Sequence, residues 1–232
     1  MESVISAEYL TKKYGNLVAV DHVTFDIPSG AITGFVGPNG AGKTTTIRML
    51  LGLVRPSDGS ARILEHSISE PATYLPYVGA MIEGPAFYPA LSGRENLRVL
   101  ARLGNFPFER VEKLLELVGL ADRADSKFKT YSLGMKQRLG IAAALLPDPK
   151  VLILDEPVNG LDPAGIHEVR NLLRSLADAG ISIFVSSHIL SELEVIADYL
   201  VIVDQGKVRF QGATKDLLAA HKPRPVSYTH LT

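Results

Sequence analysis

No cysteine occurs among the 232 residues, and there is no tryptophan. The first absence excludes a disulfide framework, a thiolate metal site and a thiol nucleophile, and it suits a reducing compartment. Charge of neither sign dominates: 24 Lys and Arg stand against 25 Asp and Glu. That balance leaves no basic excess to hold nucleic acid or an anionic membrane by charge alone, so no nucleic-acid partner is expected. Long apolar runs are also missing. Stretches such as 141–146 and 199–203 fall far short of the roughly 20 residues that span a bilayer, so any membrane role has to pass through a partner. The first residues lack the basic-then-apolar layout of a signal peptide, which leaves the cytoplasm as the expected compartment. What is present is enough for a core: 46% of residues are apolar and 21% charged. The length suits one domain, with room for an inserted lobe.

Strand-like and helix-like apolar patterns alternate, which predicts an α/β protein with a largely parallel sheet. Early strands are expected at 4–9, 18–25 and 31–36, the first ones forming an N-terminal antiparallel portion. A helix is expected over 43–51, with Ile47, Leu50 and Leu51 at helical spacing. Further strands are expected at 60–64 and 77–81, then helices at 94–103 and 109–118. The β/α alternation returns with strands at 151–155, 181–186 and 200–204 and helices at 164–177 and 189–197. Residues 84–146 therefore read as a helical lobe inserted in one domain that runs over 1–221. The last stretch, 222–232, holds two prolines and no amphipathic pattern. It resembles translated adapter sequence and is placed outside the fold.

Gly37-Pro38-Asn39-Gly40-Ala41-Gly42-Lys43-Thr44-Thr45 fits a phosphate-binding loop and sits between a predicted strand and a predicted helix, the context that motif requires. Its glycines let successive N–H groups face phosphate oxygens, and the helix that follows adds the positive end of its dipole. Lys43 supplies a point charge for the β and γ phosphates. The Thr44 hydroxyl is a ligand for Mg²⁺, a hard cation that prefers oxygen, and Thr45 is placed for the α phosphate. Val151-Leu152-Ile153-Leu154 reads as a strand buried on both faces, and it ends in Asp155-Glu156-Pro157. Carboxyl ends of strands form the ligand crevice of a doubly wound sheet. There Asp155 would hold Mg²⁺ and Glu156 would orient or deprotonate the attacking water. The plain alternative is a solvated strand end before a proline. His188 follows another apolar strand, and two readings stay open for it: a γ-phosphate contact, or a structural residue at a helix start with Ser187 as the cap.

These motifs, with Tyr131-Ser132-Leu133-Gly134-Met135-Lys136-Gln137-Arg138 between them and Asn159-Gly160-Leu161-Asp162-Pro163 after them, resemble the ATP-binding cassette (ABC) ATPases. The resemblance runs from residue 3 to about 220. It implies a P-loop NTPase with a mainly parallel core sheet, an N-terminal antiparallel β portion and an inserted helical subdomain, using ATP and Mg²⁺. It also implies that Tyr14 stacks on adenine, where packing alone is the alternative. Ser132 and Gly134 would contact ATP held by a second cassette, with Asp162 in the loop crossing that interface, unless Asp162 only caps a helix before Pro163. The signature departs from the family's Leu-Ser-Gly-Gly-Gln at three of five positions. Where the family usually carries a glutamine after the strand at 77–81, this chain has Glu83, which the resemblance places at ATP and Mg²⁺. That glutamate, with Gly84-Pro85-Ala86-Phe87-Tyr88-Pro89, is similar to the ATP-binding subunits of bacitracin and lantibiotic exporters. The implied role is the ATPase motor of a transporter: two cassettes, a homodimer in ATP, closing on two MgATP and driving a separate membrane permease at the cytoplasmic face. A ribosome- or DNA-associated cassette ATPase is the alternative. Such proteins usually carry two cassettes or a long coiled-coil insertion, and neither pattern occurs here.

Overall fold

The computed structural model describes residues 3–84 and 86–220, with Ala220 described by its backbone alone. The expected tail at 222–232 lies outside them. Among the described residues ten strands form two sheets. In the first, β1 (Ser3–Tyr14), β2 (Leu17–Pro28), β4 (Asp58–Ile63) and β5 (His66–Ser67) are antiparallel, in the order β2-β1-β4-β5. In the second, β3 (Ile32–Val36), β6 (Val78–Met81), β7 (Val151–Asp155), β8 (Ser182–Ser187), β9 (Tyr199–Asp204) and β10 (Lys207–Ala213) run in the order β10-β9-β3-β8-β7-β6. All neighbours in this sheet are parallel except β10, which pairs antiparallel with β9.

Every residue of β3, β7 and β8 is buried, as continuous apolar strands covered on both faces should be. Their side chains alternate between two cores. Ile32, Leu152, Leu154, Ile183 and Val185 belong to one. Phe35, Val151, Ile153 and Phe184 belong to the other, together with the antiparallel strands and the helix α1 (Lys43–Leu50). The Phe35 and Phe184 rings lie 5.1 Å apart, and Phe25 of β2 stands 5.7 Å from Phe35. Aromatic packing thus ties the antiparallel sheet to the parallel one. A short helix, α2 (Pro71–Tyr74), closes this side. The Tyr74 hydroxyl donates to the Leu50 carbonyl at the end of α1, and burial pushes its phenol up to about 12.

Between β6 and β7 the chain forms α3 (Gly93–Leu103), α4 (Glu109–Leu117) and α5 (Leu133–Ala144). Ser92 and Glu95 cap α3 reciprocally, a pairing that satisfies two orphan N–H groups. Arg94 binds both Glu112 on α4 and Asp125. The helices α6 (Pro163–Asp178), α7 (Leu190–Leu193) and α8 (Thr214–Ala220) complete the chain. The helix expected over 189–197 is confined to α7, because Asp198 must accept from the Ile32 N–H as β9 begins.

The helical segment meets the sheet at Gly79. A Cβ there would stand 2.1 Å from the carbonyl oxygen of Ala144, the last residue of α5. Since that atom is backbone, Gly79→Ala must push α5 off β6, and it is expected to lower unfolding free energy by roughly 1–3 kcal/mol. Urea unfolding followed by circular dichroism measures this, and an unchanged midpoint would show that the seam is loose.

Candidate functional site

Parallel register brings the carboxyl ends of β3, β8 and β7 side by side. Phe35 and Asp155 both pair with Ser186, so one serine stands between the strand that launches the glycine loop and the strand that ends in two acids. Beyond β3 the loop curls into α1. Gly42 sits there at φ +96°, where a Cβ would lie 2.5 Å from the Ala19 carbonyl oxygen; only glycine meets both demands.

Lys43 is buried. Its ammonium donates to the Gly37 carbonyl at 2.7 Å and the Pro38 carbonyl at 3.3 Å, and pairs with Glu156 Oε1 at 3.2 Å. The Thr44 hydroxyl, next on α1, donates to Asp155 Oδ2 at 2.7 Å across 111 residues of sequence. Asp155 is itself buried, and its second oxygen accepts the Ser186 hydroxyl. The Ser186 Oγ in turn accepts the Glu156 N–H at 3.0 Å. Glu156 holds a left-handed backbone at φ +53°, a conformation that costs a non-glycine residue on the order of 1 kcal/mol and persists where surrounding bonds fix it. His188 Nδ1 lies 2.7 Å from Glu156 Oε2. The structure therefore joins Lys43, Glu156 and His188 in one chain of contacts and Thr44, Asp155 and Ser186 in another.

A cavity of about 420 Å³ opens over this cluster, lined by Lys43, Thr44, Thr45, Glu156 and, on the far wall, Tyr14 and Val18. Asn39 and Gly40 border it as well. The Tyr14 ring is half exposed and carries the Lys12 ammonium 5.1 Å from its centre. A larger groove of about 680 Å³ runs past Arg55, Ser57, Asp58 and Ser69. It contains none of the candidate residues, so the chemistry and not the size locates the site.

Four candidates stand elsewhere, none of them lining this cavity. Ser132 is the cap of α5, its hydroxyl accepting from the Met135 N–H at 3.2 Å, and it is exposed. A Cβ at Gly134 would come 3.9 Å from Gly165, so the start of α5 abuts the start of α6. Asp162 caps α6, accepting from the Gly165 N–H at 3.2 Å with Pro163 following. Glu83 lies two residues past β6 at φ +60° and forms an ion pair with Arg48 of α1. Ser187 accepts from the Ile189 N–H and donates to Glu192; the cap position of α7 is Ile189, with no side-chain cap bond, so Ser187 is not the helix cap weighed for it.

Sequence reasoning missed Ser186, Asn159 and Arg48. Ser186 carried a signal, a hydroxyl directly after the apolar run Ile183-Phe184-Val185 in a strand buried throughout. Asn159 lines the cavity, but nothing in its spacing sets it apart from a turn residue. Arg48 looked like an ordinary charge on the outer face of an amphipathic helix.

A model of the ABC transporter family matches residues 20–159. The bacitracin transport ATP-binding protein BcrA of Enterococcus faecalis is 49% identical over 209 residues, covering 89% of this chain and 68% of that protein. The lantibiotic transport ATP-binding protein SrtF of Streptococcus pyogenes is 40% identical over 205 residues, covering 88% and 89%. Among solved structures, cbiO1 of Clostridium perfringens, part of the ABC transporter complex cbiONQ, superposes with a TM-score of 0.84 at 27% identity, covering 94% of this chain and 92% of that one. With a phosphate loop, a helical insertion and a strand-end acid pair in this order, the chain belongs to the ABC transporter family, as its ATP-binding ATPase subunit.

Proposed function

We propose that this cassette binds MgATP in the Tyr14–Lys43 cavity, closes head to tail on a second copy, and drives a separate membrane permease that exports an antimicrobial peptide. The observation that carries the reading is the 2.7 Å contact between Thr44 and Asp155, which gathers two hard oxygen donors at the mouth of the phosphate loop. Among the described residues no group of three or more His, Cys, Asp or Glu side chains is arranged to cage an ion. That suits Mg²⁺, which usually takes one or two protein oxygens and completes its shell with water and phosphate. Bound there through Thr44 and Asp155, Mg²⁺ would supply charge neutralisation for the β and γ phosphates.

Glu156 is the base in this reading. Both of its oxygens are engaged, one by Lys43 and one by His188. Lys43 turning from the Gly37 carbonyl toward a phosphate releases Oε1, so the carboxylate is free to take a proton from water only when a nucleotide is present. His188 holds Oε2 and fixes the direction of the free oxygen. Ser132 is exposed at the start of α5, and neither it nor Gly134 lines the cavity, which supports a site completed by the signature helix of a second cassette through its N–H groups and dipole. Asp162, by capping α6 beside Gly134, would shape that interface.

No helix among the described residues is long and apolar enough to cross a membrane, so the membrane step is assigned to a permease partner, with the cassette peripheral at the cytoplasmic face. The peptide class rests on the relatives named for bacitracin and lantibiotic transport. Expression with its permease is expected to raise the inhibitory concentration of bacitracin or a lantibiotic in a sensitive strain. An unchanged concentration would remove the peptide class and leave the ATPase standing.

Glu156→Gln is expected to cut steady-state hydrolysis by about 10²–10⁴-fold and to elute as a dimer in MgATP by size exclusion with light scattering. Undiminished hydrolysis would take Glu156 out of the base role, and a mutant that binds ATP yet stays monomeric would make the dimer depend on a different cassette or on the membrane subunit. Ser186→Ala leaves Asp155 Oδ1 and the Glu156 N–H without their buried partner, at a cost of roughly 1–3 kcal/mol. Chemical unfolding should show that loss, and the ATPase rate should fall with it; full activity at lowered stability would make Ser186 purely structural.

A further inference from the structure

The ion pair between Arg48 and Glu83 has a particular place relative to the phosphate loop. Arg48 stands four residues after Thr44 on α1, on the same face and about 6 Å further along the axis. Met81 of β6 pairs with Leu154 of β7, so the loop carrying Glu83 leaves the sheet beside the strand that ends in Asp155. Glu83 adopts φ +60°, a left-handed turn that is uncommon in residues with a side chain, and the loop so bent sets its carboxylate against the guanidinium. Both side chains keep solvent access, Glu83 at 67% and Arg48 at 40%.

Resting on the MgATP reading above, we propose that Arg48 is a positioning residue that governs the Glu83 carboxylate. It neutralises and holds that carboxylate when no cation competes for it, and yields it when a divalent cation arrives with the nucleotide. A third acid on the loop that leaves the sheet next to β7 would otherwise repel a triphosphate that lacks metal, since like charges disfavour each other. The guanidinium cancels that repulsion. An exposed ion pair is also weak, worth about 0–1 kcal/mol, so a divalent cation can take the carboxylate without large cost. Glu83 tied to Arg48 is thus a reserve oxygen ligand whose availability depends on the metal itself.

A double-mutant cycle tests this by nucleotide affinity alone. Fluorescent ATP analogue is titrated at low salt, once in EDTA and once in Mg²⁺, into the unmutated protein, Arg48→Met, Glu83→Gln and the double variant. In EDTA, Arg48→Met should weaken binding by roughly five- to tenfold, because the freed carboxylate now faces the phosphates. In Mg²⁺ that loss should shrink or reverse. On the Glu83→Gln background, Arg48→Met should change affinity in EDTA by less than about twofold. Equal losses on both backgrounds would mean that Arg48 acts on the phosphates directly, and no loss on either would mean that the pair has no role; both overturn the proposal. Failure of the unmutated protein to bind the analogue with or without Mg²⁺ would instead overturn the nucleotide reading itself, and this inference with it.

Discussion

The site depends on one hydroxyl between two strand ends. Ser186 sits in β8 between β3 and β7, fully buried, and it both donates to Asp155 and accepts from the Glu156 N–H. An apolar residue at that register position would leave Asp155 Oδ1 and a backbone N–H buried without partners, a cost folding does not absorb cheaply. With serine there, the acid pair turns outward in a fixed direction: Asp155 faces Thr44, and Glu156, bent into a left-handed conformation, faces Lys43 and His188. Two segments more than 100 residues apart are thereby held within hydrogen-bond distance by the register of a parallel sheet, before any side chain of the cavity wall is considered.

The chemistry-bearing segments were legible because they are local. The loop from Gly37 to Thr45 and the strand ending in Asp155 carry their meaning in consecutive residues, and β7 spans the residues the sequence predicts. Segments whose form is set at a distance were harder to read. Strand β1 runs on to Tyr14, past the expected end at residue 9, through register shifts against β2 that keep Lys12 and Lys13 paired while exposing their charges. Strand β10 alternates charged and apolar residues at an edge, and its pattern was lost among the turns that follow β9. The helix after His188 stops early because the chain must return to the sheet, a demand placed by Ile32 on Asp198 and invisible in local periodicity.

Function at the site was legible in kind and not in arrangement. Residue types told that phosphate, a hard cation and a base belong together. They did not tell that Lys43 reaches back to its own loop carbonyls and to Glu156, or that His188 spans from β8 to the acid of β7. For His188 the sequence left a structural place beside a helix cap and a phosphate contact open; Ser187 bonds the N–H of Ile189 without capping α7, and His188 touches Glu156. Glu83 is the sharpest case. Its position in the chain announced a carboxylate where the family has an amide, while its partner, Arg48, lies 35 residues away on a helix face that reads as solvated surface.

Charge explains why such a cluster tolerates a triphosphate. Asp155 and Glu156 stand at the cavity and Glu83 on the loop that leaves the sheet next to β7, and each already has its own compensation. Asp155 is held by two hydroxyls, from Thr44 and Ser186. Glu156 is held by the Lys43 ammonium and by His188, and Glu83 by the Arg48 guanidinium. The compensating groups differ in what they can surrender. Hydroxyls stay with Asp155 at no charge cost and leave it free to share a cation. Lys43 can leave Glu156 only for a stronger anion, which a phosphate provides. Arg48, the most exposed of the cations in these pairs, yields most easily and to a cation rather than an anion. On the proposed reading these partners would let go in the order set by burial and charge, and full exposure of Glu156 would depend on nucleotide and metal being present together.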